Sequence, residues 1–426
     1  MNKEVIGAIA VFVLCLGLIS RKLEKSVVTP PMAYVCFGLL ISSPALNLVS
    51  GIKIENEIIK IVAEITLAIL LLADASRIQL KLLRQEYKLP LRLLSVGLPI
   101  SIVLGTIFAL LLFPQQLDIF SAAALATILS PTDAALGQAV VNSSRIPARI
   151  RQGINVESGL NDGLCLPVLL LFISLATKTG DNNATYWLTV FSKQIVLGTA
   201  IAIAIGYGGT QLIMYSLKHK WMTESFEDLS IVGLAILAYT CAEAIGGNGF
   251  VAAFGAGLIV GAIATDSILA CLHNFGEAEG QLLTLLSFLM YAAVMVVPSV
   301  ERASWQMWLY GILSLTVTRM LGVAIATKDL KLQLDSTFFI GWFGPRGIAS
   351  IVYGLLIVEK DNLPGSQLMF TTMVITVLLS VFAHGLTAFP GVYWYAQSIE
   401  DKKEFHDRMP EMMSVEEMPV RLPWRK

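Results

Sequence analysis

Glu157 and Asp162 are two acids that stand five positions apart in a strongly apolar part of the chain, in the segment 157–162 (ESGLND). A charged side chain is costly in the core of a bilayer, so an acid within a membrane segment marks a functional site by default. A carboxylate beside hydroxyl and amide oxygens suits a proton or a hard monovalent cation, whereas no soft ligand set for a transition metal is present. This segment therefore carries the most informative chemistry in the sequence.

Helical geometry assigns the polar side chains of this segment to different faces. Ser158 and Asp162 are four positions apart and share a face, as do Glu157 and Asn161, whereas Glu157 and Asp162 point about 140° apart. We predict that Ser158, Asn161 and Asp162 face a second polar segment at Thr132, and that Glu157 turns toward a partner on another helix.

Arg319 is the cation that we assign to Glu157. It lies inside a predicted membrane helix and, unlike Arg346, does not follow a proline. Pairing Glu157 with Arg319 leaves Asp162 as the group that exchanges a cation for a proton. Direct ligation of the cation by Glu157 remains an alternative.

The composition places these residues in a polytopic membrane protein. Hydrophobic residues make up 55% of the chain and charged residues 14%, against about a quarter charged in soluble domains. Segments long enough to span a bilayer predict an all-α fold with about thirteen transmembrane helices. These segments are 4–20, 31–50, 56–76, 90–113, 118–143, 152–177, 187–216, 230–245, 248–264, 281–298, 305–325, 336–357 and 367–391.

The distribution of Lys and Arg predicts the orientation. With thirteen spans and the N-terminus outside, the inward loops carry about three times as many basic residues as the outward loops. This bias predicts a cytoplasmic C-terminus and a place in the cell membrane. The odd number of transmembrane helices depends on a split of the apolar region 230–264 at residues 246–249 (GGNG). Without this split the number would be even, and both termini would lie on the same side of the membrane.

Two of the apolar segments are broken by a proline next to a charge: Pro131 precedes Asp133, and Pro345 precedes Arg346. Proline removes a backbone donor, and unwound backbone at membrane depth must be buried in protein or face a watery cavity. We predict that Asp133 faces the positive N-termini of half-helices and that Arg346 faces their negative C-terminal ends.

The breaks occupy matching places in two sets of three segments, the fourth to sixth and the eleventh to thirteenth. An odd number of spans separates the starts of the two sets, so they run through the membrane in opposite directions. Inverted repeats with discontinuous helices are typical of secondary transporters.

Several ordered motifs resemble those of the NhaP-type sodium/proton antiporters, relatives of the animal NHE exchangers. The resemblance extends from the segment 21–24 to the thirteenth apolar segment, although Ala134 replaces the proline of the family's "TDP" motif. The matching positions are Thr132-Asp133 ("TDP"), 157–162 ("ESxxND"), Arg319 and 344–347 ("GxRG").

The resemblance implies that Asp162 binds both the ion and the proton. Asn161 would replace a second aspartate of electrogenic relatives, which points to electroneutral one-for-one exchange of H⁺ for Na⁺, with K⁺ or Li⁺ as alternatives. Ser158 and Thr132 would supply neutral oxygens, and Glu157 would ligate the ion or pair with Arg319. The two remaining charges, Asp133 and Arg346, would stabilise the crossed, broken helices.

The family fold further implies a homodimer whose core domain moves like an elevator against a dimerisation domain. No cofactor and no nucleic-acid partner is expected; the partners are the cation, H⁺, membrane lipid and a second copy. The corresponding division is 1–89 and 178–300 for the dimerisation domain, 90–177 and 301–396 for the core, and 397–426 for a short cytoplasmic tail.

Other function classes fit the sequence less well. No phosphate-binding loop, HExxH motif or compact set of histidines indicates an enzyme or an ATP-driven pump. A transporter of a small organic anion remains an alternative because half-helix N-termini attract anions, and a cation channel is a second. Glu64 and Glu243 are further intramembrane acids with no assigned role, although Glu243 is expected to cap the turn at 246–249.

Overall fold

The computed structural model describes residues 3–23, 26–42, 57–76, 87–133, 136–141, 143–177, 184–358, 363–402 and 409–412. Ala134 and the end of the second predicted span, 43–50, lie outside these residues. Within the described part of the chain every regular element is a helix.

The helices follow the chain in the order that the apolar segments predict. Three helices are interrupted by a π-helical turn, namely α4, α11 and α12. The bounds are α1 (Lys3–Leu23), α2 (Pro30–Ser42), α3 (Glu57–Ser76), α4 (Lys88–Leu112), α5 (Ile119–Ile128), α6 (Gln138–Val141), α7 (Ala148–Thr177), α8 (Ala184–Lys218), α9 (Glu224–Ala244), α10 (Gly249–Ile263), α11 (266–302), α12 (Trp305–Leu330), α13 (Leu334–Trp342), α14 (Ile348–Val358) and α15 (Ser366–Glu400).

Six of the described helices contain long, strongly apolar stretches suited to crossing a membrane. These stretches are Lys88–Leu112, Ala148–Thr177, Thr189–Lys218, Gly280–Arg302, Trp305–Leu330 and Ser366–Glu400. Among the described residues, a helix or a broken pair of helices lies in each of the thirteen predicted segments, while the number that cross the membrane stays a prediction. Large apolar side chains such as Leu18, Leu111 and Leu212 are exposed on the outer helix faces, where lipid would cover them.

The predicted split at 246–249 is confirmed, because α9 and α10 are separate helices. Gly246 adopts a positive φ of 73° at the turn, which a glycine allows without strain. The Glu243 carboxylate accepts a hydrogen bond from the Gly249 amide at 2.7 Å, and the Asn248 side chain caps α10 by accepting from the Val251 amide at 2.9 Å. The capping role expected for Glu243 is therefore confirmed.

Small residues bring α10 close to α3. A Cβ atom added at Gly257 or Gly261 would overlap the carbonyl oxygens of Leu72 or Ser76. This side of α10 is consequently occupied within the chain, and α10 also packs against α8. The pair α3 and α10 thus forms a tight element beside the broken helices.

The last described helical turn, Pro410–Met412, contacts the N-terminal end of α13. The Glu411 side chain is fully buried. Its carboxylate accepts hydrogen bonds from the main-chain N–H of Gln333 at 2.5 Å and from the Ser336 hydroxyl at 2.8 Å. Because a carboxylate is favourable at a helix N-terminus, Glu411 stabilises the first turn of α13. The sequence gives no pattern that predicts this contact.

Candidate functional site

The two helix breaks meet and are joined by main-chain and side-chain hydrogen bonds. α5 ends at Ile128 and α13 ends at Trp342, each a few residues before its proline. The Asp133 amide donates to the Pro345 carbonyl at 2.7 Å, and the Asp133 carboxylate accepts from the amide of Ile348 at 3.0 Å. Since Ile348 is the first residue of α14, the predicted placement of Asp133 at a half-helix N-terminus is confirmed.

Arg346 binds the opposite helix end. Its guanidinium is buried and donates to the carbonyls of Ser130 at 2.6 Å and Pro131 at 3.1 Å, just beyond the C-terminus of α5. The Arg346 amide donates to the Ser380 hydroxyl at 2.6 Å. The predicted placement of Arg346 against free carbonyls is confirmed, whereas the contribution of Ser380 from α15 had no signal in the sequence.

Two glycines allow the charged groups to enter the crossing. A Cβ atom at Gly347 would overlap the carboxylate of Asp133, and a Cβ atom at Gly344 would lie 2.6 Å from Nε of Arg319. These close approaches give a physical reason for glycine on both sides of Pro345-Arg346.

Glu157 and Arg319 form a buried, two-pronged ion pair. Nη2 of Arg319 donates to Oε2 of Glu157 at 2.7 Å, and Nη1 donates to Oε1. The side chains of Glu157 and Arg319 are 2% and 4% exposed, so each charge depends on the other for compensation. The predicted pairing is confirmed; it links α7 in the first repeat to α12 in the second.

A cluster of neutral oxygens lies between the first break and α7. The hydroxyls of Thr132 and Ser158 are 2.9 Å apart, and Nδ2 of Asn161 donates to the Thr132 hydroxyl at 2.7 Å. Oδ1 of Asn161 is buried and has no hydrogen-bond partner among the described residues. An unpartnered buried carbonyl oxygen is unusual, and it is a suitable ligand for a hard cation. We refer to Thr132, Ser158 and Asn161 as the neutral cluster.

Asp162 follows the neutral cluster on α7, one helical turn after Ser158 and on the same face. Asp162 is partly buried, whereas Glu157 is fully buried. The main-chain carbonyl of Asp162 accepts a hydrogen bond from the hydroxyl of Tyr353 on α14. Tyr353 had no sequence motif or spacing that could have linked it to α7.

The oxygen atoms of the neutral cluster and of the Asp162 carboxylate suit a monovalent cation as ligands. Carboxylate, hydroxyl and amide oxygens are hard ligands. No group of three or more His, Cys, Asp or Glu residues within the described ranges could hold a metal ion.

His384 on α15 lies near the second break but belongs to a packed environment. Its Nδ1 is 2.9 Å from the Ser380 carbonyl oxygen, and its ring centroid is 5.4 Å from that of Trp342. These contacts indicate that His384 is a core residue held in place by Ser380 and Trp342.

The fold and the crossing of two broken helices define a class of protein, the multi-pass membrane transporters. A family model described as "Sodium/hydrogen exchanger, transmembrane" matches residues 8–394, and the chain belongs to this family. Cation/proton antiport is accordingly the class of activity that the family match identifies.

Curated relatives carry both sodium and potassium names. The chain is 25% identical over 414 residues to "K(+)/H(+) antiporter NhaP" of Alkalimonas amylolytica, which covers 95% of this chain and 69% of the relative. It is 26% identical over 324 residues to "Na(+)/H(+) antiporter" of Schizosaccharomyces pombe, which covers 67% of each chain. With "K(+)/H(+) antiporter NhaP2" of Shewanella oneidensis it shares 23% identity over 331 residues, which are 76% of this chain and 56% of that relative.

A solved structure shows the same fold. The sodium proton antiporter MjNhaP1 from Methanocaldococcus jannaschii, solved at pH 8, superposes with a TM-score of 0.72 and 20% sequence identity over 92% of this chain and 99% of that chain. The predicted fold class, an all-α antiporter fold, is therefore confirmed.

Proposed function

We propose that the protein exchanges one monovalent cation for one proton at Asp162. The observation that carries this proposal is the neutral cluster beside Asp162, with the unpartnered Oδ1 of Asn161 in it. In one state the Asp162 carboxylate, the Thr132 and Ser158 hydroxyls and Asn161 Oδ1 would bind the cation. In the other state the carboxyl would hold a proton, and the cation would leave.

Competition at one carboxylate is sufficient for coupled exchange. Asp162 would be neutralised by either the cation or the proton, so the carrier would have the same net charge in both loaded states. Glu157 adds no second exchangeable charge in this scheme, because Arg319 compensates it. The expected stoichiometry is therefore one to one, and transport would be electroneutral.

Na⁺ is the proposed cation, with K⁺ and Li⁺ as alternatives. The family description, one curated relative and MjNhaP1 point to sodium, whereas six curated relatives are named for potassium. Oxygen ligands accept all three ions. Exchange in proteoliposomes, measured with each cation in turn after a pH jump, would decide between them.

An organic anion is a weaker substrate candidate. An anion site between the breaks would use the positive groups there, but Arg319 and Arg346 already bind a carboxylate and two carbonyls.

The larger assembly is part of the same proposal. We place the protein in the cell membrane with its N-terminus outside, as a homodimer in which the core segments 90–177 and 301–396 move like an elevator against 1–89 and 178–300. The bias of Lys and Arg supports the orientation, and the close packing of α3 with α10 supports a dimerisation domain in which these two helices move as one rigid unit.

The transport test is the variant Asp162→Asn in reconstituted vesicles. It should lose cation-dependent proton movement while keeping the melting temperature and the oligomeric state of the unaltered protein. Full exchange by this variant would refute the proposed site.

A further inference from the structure

Tyr353 makes a contact between the two repeats at the residue proposed to bind the ion. Its side chain is fully buried in α14, and its hydroxyl donates to the main-chain carbonyl of Asp162 in α7. A buried phenol hydroxyl requires a partner. Here the partner is the backbone of Asp162 itself.

The backbone of α7 is weakened just after Asp162. Pro167 lies inside the helix, and since proline has no amide proton, the carbonyl of Gly163 lacks its usual helical donor four residues later. Neighbouring helices hold this turn from outside: Tyr353 donates to residue 162, and the Phe254 ring lies against Gly163, where an added Cβ would be 2.7 Å from the ring.

We propose that Tyr353 is a positioning residue for cation binding. The inference rests on the proposed function of Asp162. The hydroxyl of Tyr353 fixes the main chain at residue 162 and thereby sets the direction of the Asp162 carboxylate relative to the neutral cluster. Without this hydrogen bond the weakened turn loses one of its two outside contacts, and the carboxylate no longer meets the Ser158 and Asn161 oxygens in one geometry.

The position of Tyr353 also couples the half-helix α14 to the ion site. The N-terminus of α14 is bound by Asp133 through Ile348, and Tyr353 lies five residues further along the same helix. A shift of α14 relative to α7 consequently changes both the helix crossing and the backbone at Asp162. Cation selectivity is the property that this coupling controls, because Li⁺, Na⁺ and K⁺ differ in the ligand distances that they require.

Tyr291 provides the matched control. It is also a fully buried tyrosine, and its hydroxyl donates to a helix carbonyl, that of Val374, at 2.5 Å. This hydrogen bond links α11 to α15. Tyr291→Phe and Tyr353→Phe therefore remove the same group from the same kind of environment, and only the second removes it at Asp162.

The experiment measures exchange by both variants in proteoliposomes, with Na⁺, Li⁺ and K⁺ and over a range of pH. Tyr353→Phe should raise the apparent KM for Na⁺ about tenfold, equivalent to about 1.4 kcal/mol of binding, with a smaller change in the maximal rate. It should also alter the Li⁺:Na⁺:K⁺ ratio and the pH of half-maximal exchange. Tyr291→Phe should lower the melting temperature and leave KM, selectivity and pH profile unchanged.

Two results would overturn the proposal. One is a Tyr353→Phe variant with the same KM, cation ratio and pH profile as Tyr291→Phe. The second applies if Tyr353→Phe cannot be reconstituted. The purified variant would then be titrated with Na⁺ while its melting temperature is followed. Stabilisation at the same Na⁺ concentrations as in the unaltered protein would reject the positioning role. Asp162→Asn separates the exchange role of Asp162 from the positioning role of Tyr353. If Asp162→Asn loses exchange while Tyr353→Phe keeps the KM, cation ratio and pH profile of the unaltered protein, only the role of Tyr353 is rejected.

Discussion

At the scale of residues, we propose that the site divides its charges into compensated and exchangeable groups. Glu157 is compensated by Arg319, and the helix crossing is held by Asp133 and Arg346. Asp162 is the acid that we propose to bind the transported cation and the proton in turn. In this proposal the neutral oxygens beside it would determine how well a cation replaces the proton.

The sequence predicts much of this residue pattern. Helical spacing separates Glu157 from Asp162, and the cost of a buried charge assigns Arg319 to Glu157. Tyr353 could not be found in this way. A tyrosine in an apolar helix has no pattern that shows which neighbouring carbonyl its hydroxyl reaches, because that contact depends on how α14 packs against α7.

The first prediction concerns the buried ion pair. Removing one partner leaves an uncompensated charge, so Glu157→Gln or Arg319→Gln alone should destabilise the protein by about 3–5 kcal/mol. The double variant should be less destabilised than the sum of the two single variants. Thermal unfolding in detergent of all four proteins measures this cycle. Strictly additive losses would show that the two side chains do not depend on each other.

The second prediction concerns the Thr132 hydroxyl. Thr132→Val keeps the shape but removes the acceptor for Asn161 and the partner of Ser158. The cation KM should rise roughly tenfold, as expected for the loss of about one ligand or hydrogen bond. Thr127→Val is the control, since its buried hydroxyl donates only within α5, to the Ala123 carbonyl at 2.7 Å. Equal KM values for the two variants would argue against a role of Thr132 in binding.

At the scale of elements, the crossing depends on helix ends that stop short of each other. Prolines 131 and 345 predict both breaks, and the turn residues at 246–249 predict the separation of α9 and α10. The π-helical turns in α4, α11 and α12 and the contact of Glu411 with α13 were not predicted. They arise from tertiary packing, which local propensity does not encode.

The third prediction tests the closeness of the crossing. Gly347→Ala places a methyl group into the space of the Asp133 carboxylate, so the crossing must open and the yield of folded protein should fall strongly. Gly208→Ala in α8 is the control, because nothing lies within 4 Å of its added Cβ. This control should be neutral or stabilised by up to about 1 kcal/mol, the helix propensity difference. Size-exclusion profiles and melting temperatures compare the two; similar values would contradict the crossing geometry.

At the scale of the whole molecule, two broken spans of opposite predicted direction lie beside the proposed ion site. Each broken span is followed by a long helix, α7 of 30 residues and α15 of 35 residues. Each of these two helices contains an internal proline. The repeats differ in chemistry, since α7 carries both acids and α15 carries His384. The fold class follows from the sequence, whereas the proposed dimerisation and elevator movement would depend on interfaces that a single chain does not contain.

The fourth prediction follows from the charge of the loaded carrier. Moving one net charge across 100 mV changes the free energy by about 2.3 kcal/mol, so electrogenic exchange would respond strongly to voltage. One-for-one exchange should instead proceed at the same rate with and without a membrane potential imposed by a gradient of a permeant anion, such as thiocyanate, in Na⁺-loaded proteoliposomes free of K⁺. A clear dependence of the rate on that potential would reject the proposed stoichiometry.

The central claim is competition between a cation and a proton at Asp162. The most direct measurement is proton release when Na⁺ is added to the purified protein in weakly buffered solution, at a pH where the site is protonated. The unaltered protein should release up to about one proton per chain, with saturation as Na⁺ binds, and Asp162→Asn should release none. Undiminished, Na⁺-dependent proton release from a folded Asp162→Asn variant would contradict the account.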